Sequence, residues 1–150
     1  MDRIDRKLLN LMQRDAGRTN LELADAVGLS PSSCLRRVQK LRRAGVIERI
    51  VAILNPTKAG RPLKALVTVE LKLHGEQHMR RFLDLAAAEP AVTQAYAVTG
   101  ASDVALMMRL SDMDEFDLLA QKLFRDETNV ARFVTMLVIR TGKEDTAMMV

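Results

Sequence analysis

Apolar residues change period partway along this chain, and that change limits what it can fold into. Over the first third they recur at helical spacing: Ile4, Leu8, Leu9, Leu11 and Met12, then Leu21, Leu23, Ala24 and Val27, then Cys34, Leu35, Val38 and Leu41. From Val46 to Leu54 the pattern turns to a short β run. From Ala65 to Leu73 it alternates, with Ala65, Val67, Val69, Leu71 and Leu73 on one face and Thr68, Glu70 and Lys72 on the other. Helical and strand periods in separate stretches predict an α+β chain with two regions.

Punctuating residues place the elements. Gly17 stops the first helix, and Thr19-Asn20-Leu21-Glu22 is a capping box in which the Thr19 hydroxyl takes a first-turn amide while Glu22 reaches back. Gly28 suits a left-handed helix end. Ser30-Pro31 then opens a third helix, serine as N-cap and proline at the first helical position, where its missing N–H costs nothing. That helix runs to about Ala44 and stops at Gly45. Asn55-Pro56 ends the β run, and Lys58-Ala59-Gly60-Arg61-Pro62 reads as a linker, predicting a boundary between residues 1–60 and 61–150. Beyond it, helices over Glu76–Ala88 and Asp112–Arg125 alternate with strands at Ala65–Leu73, Val92–Val98, Val104–Leu110 and Val130–Arg140. The order βαββαβ is ferredoxin-like, with both helices on one face of the sheet.

The predicted fold is therefore an N-terminal winged helix-turn-helix, three helices plus a short β element, joined to a C-terminal ferredoxin-like domain. Both faces of the last two strands are apolar: Val104, Leu106 and Met108 against Ala105 and Met107, and Phe133, Leu137 and Ile139 against Val134, Met136 and Val138. Two helices cover one face only, so a second copy of the chain is expected on the other, making a homodimer.

Charge divides at the same boundary. Residues 1–60 hold twelve Lys and Arg against six Asp and Glu, whereas residues 61–150 hold eleven against thirteen. A basic head on a slightly acidic body fits a polyanion at one end. Thr19 to Ala44 has the proportions of a helix-turn-helix, and its third helix buries Cys34, Leu35, Val38 and Leu41 while Ser32, Ser33, Arg36, Arg37 and Lys40 fall mostly opposite. Short hydroxyls permit close approach to a duplex, and arginines fork onto guanine or phosphate, so these residues, with the cap Ser30, are the candidate contacts to double-stranded DNA. Arg42 and Arg43, in the last turn, suit either phosphate or the negative end of the helix dipole.

Other classes find less support. No run approaches the roughly 18 apolar residues of a membrane span, so no membrane partner is expected. Met1-Asp2-Arg3-Ile4-Asp5 lacks a basic-then-apolar signal, and the single cysteine, Cys34, allows no intrachain disulfide; a cytoplasmic setting is expected. His74 and His78 straddle a strand-to-helix junction with no acid or cysteine cluster to complete a metal site, and read as surface residues. Cys34 lies on an apolar stripe and reads as a packed thiol. Gly100-Ala101-Ser102 is too short for a phosphate loop. No catalytic residue, metal or cofactor is predicted.

Gly28-Leu29-Ser30-Pro31-Ser32-Ser33-Cys34-Leu35-Arg36-Arg37-Val38-Gln39-Lys40-Leu41, with Gly45-Val46-Ile47, Leu54-Asn55-Pro56 and the opening Asp2-Arg3-Ile4-Asp5-Arg6-Lys7-Leu8-Leu9, resembles the Lrp/AsnC family of prokaryotic feast/famine regulators. The βαββαβ half is similar to that family's regulatory domain. The resemblance spans essentially the whole chain. It implies a sequence-specific transcriptional regulator, dimers that assemble to tetramers or octamers, and an amino acid as effector, held near the turn between the middle strands at contacts between dimers. Where the family shows Gly-Asp-x-Asp, this chain has Gly100-Ala101-Ser102-Asp103, so the first carboxylate is missing. Asp103 is then the expected anchor for an ammonium, Gly100 lets backbone amides approach a carboxylate, and Thr135 matches a position often polar in the family. An ordinary hairpin turn explains Gly100 and Asp103 equally simply. Two rivals stand beside this reading: a tetrapyrrole decarboxylase on the same architecture, disfavoured by the scarcity of histidine and aromatics, and a bare sheet-domain ligand binder or DNA-compacting protein without a defined operator.

Overall fold

The computed structural model describes residues 1–150, the side chain of Asp126 aside. By its contacts the chain forms two compact units, Met1–Ile53 with Gly142–Val150, and Leu54–Thr141. The expected boundary after residue 60 thus falls inside the second unit, and the last nine residues return to the first.

The first unit holds three helices, α1 (Arg3–Arg14), α2 (Asn20–Val27) and α3 (Pro31–Arg43). Each begins on a side-chain cap. Asp2 accepts the N–H groups of Ile4 and Asp5 (2.9 Å each), and its own N–H donates to Asp5 Oδ2 (3.0 Å). The predicted Thr19–Glu22 box closes α2, with Glu22 N–H donating to Thr19 Oγ1 (3.2 Å) and Thr19 N–H to Glu22 Oε2 (2.7 Å). Ser30 caps α3 with Pro31 next to it. Gly28 ends α2 at φ 71°, a left-handed conformation that any Cβ would strain, and so makes the tight turn into α3. Leu8, Leu23, Ala24, Cys34 and Val38 meet in a small buried core, with Ile4, Leu11, Met12, Val27, Leu29 and Ile47 packed around it.

The β run expected over Val46–Leu54, the short β element of the winged fold, is not a strand in this structure. A strand exists only where a neighbour pairs its amides and carbonyls, and none lies beside this segment among the described residues. Ile47 packs inward, but Ile50, Val51, Ile53 and Leu54 are exposed. Within the first unit, residues 142–150 meet α1 through Gln13, whose amide brackets the backbone of Met148: Nε2 donates to the Met148 carbonyl (2.9 Å) and Oε1 accepts its N–H (2.7 Å).

The second unit is β1 (Leu63–Leu71), α4 (Glu76–Ala87), β2 (Val92–Ala97), β3 (Val104–Leu110), α5 (Met113–Leu123), a 3-10 turn (Asp126–Thr128) and β4 (Val130–Leu137). The sheet is antiparallel in the order β2-β3-β1-β4, the ferredoxin-like arrangement read from the sequence. Ala65, Val67, Val69 and Leu71 of β1 and Val104, Leu106, Met108 and Leu110 of β3 are buried with Phe82 and Ala86 of α4 and Leu119 and Leu123 of α5. Leu73, expected on this buried face, lies past the end of β1 and is exposed. Asn129 joins the ends of β1 and β4: its side-chain amide pairs with the backbone of Leu73 (2.8 and 2.9 Å), and its own backbone sits at φ 68°.

Among the described residues of this unit, nothing covers the opposite sheet face. The register places Leu66, Ala105, Met107, Val134 and Met136 side by side on it, and Val134 and Met136 are 40% and 44% exposed.

Candidate nucleic-acid interface

Helix α3 sorts its side chains by angle. Cys34, Val38 and Leu41 are buried. Successive residues step by about 100° round a helix, so Ser32, Arg36, Lys40 and Arg43 lie on the side away from that stripe. All four are exposed. Among the described residues Arg36, Lys40 and Arg43 meet no carboxylate, so their charge is available to a polyanion. Arg43 continues the face seven residues after Arg36, a spacing that could have placed it among the candidate contacts from the sequence. Leu35, expected in the buried stripe, is instead 48% exposed on the flank.

The hydroxyls at the start of α3 form a small network. Ser30 Oγ accepts the Ser33 N–H (3.3 Å), donates to Ser33 Oγ (2.9 Å) and lies 3.2 Å from Ser32 Oγ. Ser30 and Ser33 are thus bound into the cap, and Ser32 is the serine most turned outward. Asn20 Nδ2 donates to the Pro31 carbonyl (2.7 Å), fastening the start of α2 to that of α3. Cys34 is fully buried and its thiol is pushed above its ordinary value by desolvation.

Arg37 behaves differently from Arg36. Its Nη1 donates to Asp2 Oδ2 (2.7 Å) and Asp5 Oδ1 (2.8 Å), thirty-five and thirty-two residues away. Asp2 and Asp5 are both held below the usual carboxylate range, first by each other's N–H groups and then by this guanidinium, and Arg37 is held above its ordinary value by the same two bonds. The Asp2–Asp5 capping box that aims both carboxylates was missed in the sequence, although Asp-x-x-Asp ahead of an apolar run is its signature.

In the second unit, Gly100 sits at φ 122° in the turn between β2 and β3. Ala101 and Ser102 line a hollow of about 110 Å³ with Thr68, Glu70, Arg132, Phe133 and Val134. Gly100, Asp103 and Thr135 do not line it. Asp103 spends one oxygen on the fold, Oδ2 accepting the Leu71 N–H (2.7 Å), and its Oδ1 lies 3.6 Å from His74 Nδ1. Thr135 faces the helix side, opposite Val67, where its buried hydroxyl has no hydrogen-bond partner. His74 is exposed and His78 half-buried; among the described residues no group of three or more His, Cys, Asp or Glu could hold a metal ion. No helix among them is long and apolar enough to cross a membrane.

A capped helix-turn-helix with an unpaired basic face, beside a ferredoxin-like domain with a glycine turn, defines a two-domain DNA-binding regulator. Residues 1–48 match the profile of winged helix-turn-helix DNA-binding domains, and residues 64–148 that of the Lrp/AsnC ligand binding domain. The chain is 39% identical over 145 residues to the leucine-responsive regulatory protein of Rhizobium meliloti (strain 1021), covering 96% of this chain and 92% of that one. The crystal structure of an AsnC family transcriptional regulator from Agrobacterium tumefaciens superposes with a TM-score of 0.92 at 29% identity, covering 99% of this chain and 96% of that one. A transcriptional regulator of Neisseria meningitidis, solved as an L-Met complex, gives the same TM-score and coverage at 28% identity. The chain belongs to the Lrp/AsnC family of transcriptional regulators.

Proposed function

We propose that the chain reads operator DNA through the outward face of α3, placing Ser32, Arg36 and Lys40, with Arg43, against base edges and phosphates of the major groove. The observation that carries this reading is the set of three cations on that face with no carboxylate partner among the described residues, held on a helix whose other side is buried. Ser30 and Ser33 serve the same surface by fixing the start of the helix. Phosphate contacts supply most of the affinity, and base-edge contacts the choice of sequence.

The working form is a homodimer, and the dimers assemble to tetramers or octamers. The uncovered strip of Leu66, Met107, Val134 and Met136 supports the dimer, since a second copy would remove its apolar surface from water. The effector is an amino acid at the turn of Gly100, Ala101, Ser102 and Asp103, with Thr135 further across the sheet on β4, beyond β1. The L-Met bound by the meningococcal regulator supports that choice. A hollow of about 110 Å³ is small beside the roughly 300 Å³ of a small-molecule pocket, which supports a site completed by another copy. Binding there shifts the assembly and hence DNA affinity.

The chain is read as a cytoplasmic regulator without catalytic activity. The decarboxylase alternative asks for basic and histidine side chains in a cavity, whereas His74 is exposed and 3.6 Å from Asp103. The test is a gel shift on the promoter upstream of the chain's own gene, with and without each of the twenty amino acids. A retarded complex altered by one of them supports the reading; no complex at low salt defeats it. Footprinting then separates a regulator, which protects one site, from a compacting protein, which covers DNA uniformly.

A further inference from the structure

Two adjacent arginines of α3 carry the same charge in different surroundings. Arg36 stands free on the outward face. Arg37, one residue and about 100° further round, lies on the flank toward the start of α1, with its side chain 32% exposed. There one nitrogen is bonded to two carboxylates, Asp2 at 2.7 Å and Asp5 at 2.8 Å. The carboxylates are not loose surface groups. Asp2 Oδ1 takes the N–H groups of Ile4 and Asp5, and Asp5 Oδ2 takes the Asp2 N–H, so each offers its second oxygen to Arg37 in a fixed direction.

Two acids around one base leave this cluster with a net negative charge. A phosphate brought to Arg37 would face two carboxylates in hydrogen-bond contact with the same nitrogen, and like charge repels it. The N-cap of α1 is thereby tied to the middle of α3 across more than thirty residues of sequence. Charge-assisted bonds of this kind fix direction as well as distance.

We infer that Arg37 is a positioning residue for DNA recognition: the Asp2–Arg37–Asp5 clamp sets the rotation and height of α3 against α1, and Arg37 itself does not contact DNA. This rests on the reading that α3 faces the duplex. The clamp holds the rotation that points Arg36 and Lys40 outward. A helix turned by a fraction of its 100° step would carry those side chains off their base edges while leaving the small core intact.

The two roles for Arg37 give opposite signs when the acids are removed. Asp2→Asn with Asp5→Asn keeps a good cap residue at position 2 and raises the net charge by two. If Arg37 were a phosphate contact restrained by the acids, this variant would bind DNA more tightly. With a clamp it loses specific affinity, by about ten-fold on the scale of one well-placed base contact, despite its greater charge. The experiment uses the intact chain and a duplex it has selected from a random pool, with a scrambled duplex of equal length as control. If the parent selects nothing, the DNA-reading assignment of α3 fails before the clamp is at issue.

Given a selected duplex, the clamp expects the ratio of selected to scrambled affinity to fall in the double variant, with its thermal melt still cooperative. It also expects Arg37→Gln to lose the same ratio while its plot of log affinity against log salt stays parallel to the parent's. A phosphate contact would reduce that slope by about 0.9. Tighter or unchanged selective binding by the double variant, or a shallower slope for Arg37→Gln, overturns the inference. Should the double variant fail to fold, the Arg37→Gln slope and ratio decide alone.

Discussion

The two units of this chain complete themselves to different degrees. The helical unit closes each helix start with an aspartate, threonine or serine cap, buries one small cluster, and leaves exposed both the basic face of α3 and the apolar Ile50, Val51 and Ile53. The sheet unit buries a larger core beneath α4 and α5 but leaves Val134 and Met136 on its other face about two-fifths exposed. A basic face can wait in water for DNA, because hydrated charge costs little. An apolar face cannot wait as cheaply. The difference teaches that the charged face of α3 is stable in water as it stands, whereas the apolar strand face of the sheet unit, like Ile50, Val51 and Ile53 of the helical unit, would gain from being covered.

Substitutions can break or sharpen this contrast. The largest effect is expected from Phe82→Ala, which empties the middle of the sheet core where Phe82 is 2% exposed; it should cost about 3–5 kcal/mol in equilibrium denaturation. The outward face of α3 should respond in binding and not in folding. Arg36→Ala should weaken binding to a selected duplex by about 1–3 kcal/mol with an unaltered melt; equal binding by parent and variant would remove Arg36 from the interface. A smaller, purely local loss is expected from Thr19→Ala, about 1 kcal/mol of stability in chemical denaturation, because the Glu22 amide loses its cap.

The smallest effect is expected at Glu115 in the sheet unit. Its carboxylate accepts the N–H and hydroxyl of Ser111 (2.7 Å each) and pairs with Arg61, which lowers its pKa from 4.5 to about 2, the Ser111 N–H contributing most. A depressed carboxyl pKa stabilises the fold fully above the ordinary value and loses that contribution as pH falls from about 4.5 toward about 2. Glu115→Gln should therefore cost about 0.5 kcal/mol at neutral pH, a modest figure because the pair is partly solvated. Its stability should also converge on the parent's in acid; a gap that persists to pH 2 would assign the loss to shape instead.

What could be read from the sequence was what local rules determine. The Thr19–Glu22 box, Ser30-Pro31, Gly28 and the alternation of β1 and β3 each depend on residues within a few positions, and the structure places them as read, Leu73 at the end of β1 excepted. The order of the sheet followed from the order of elements and the packing rules. Four features depended on what lies far along the chain and did not follow. Val46–Leu54 has strand composition but no strand beside it, so propensity alone misled. Arg37 belongs by spacing with Arg36, yet two acids more than thirty residues earlier claim it. Asp103 gives one oxygen to the Leu71 amide, 32 residues earlier, a partner that the turn motif does not signal. Gln13 and Met148, 135 residues apart, meet by a pairing that no spacing rule could signal.

The central claim is that a charged, sequence-reading face sits on α3, and affinity for duplex DNA across salt tests it most directly. Anisotropy of a labelled duplex, followed from about 50 to 200 mM salt, should show log affinity falling linearly and steeply. A selected duplex should hold its advantage over a scrambled one throughout. Affinity that ignores salt, or that is equal for both duplexes, would contradict the account.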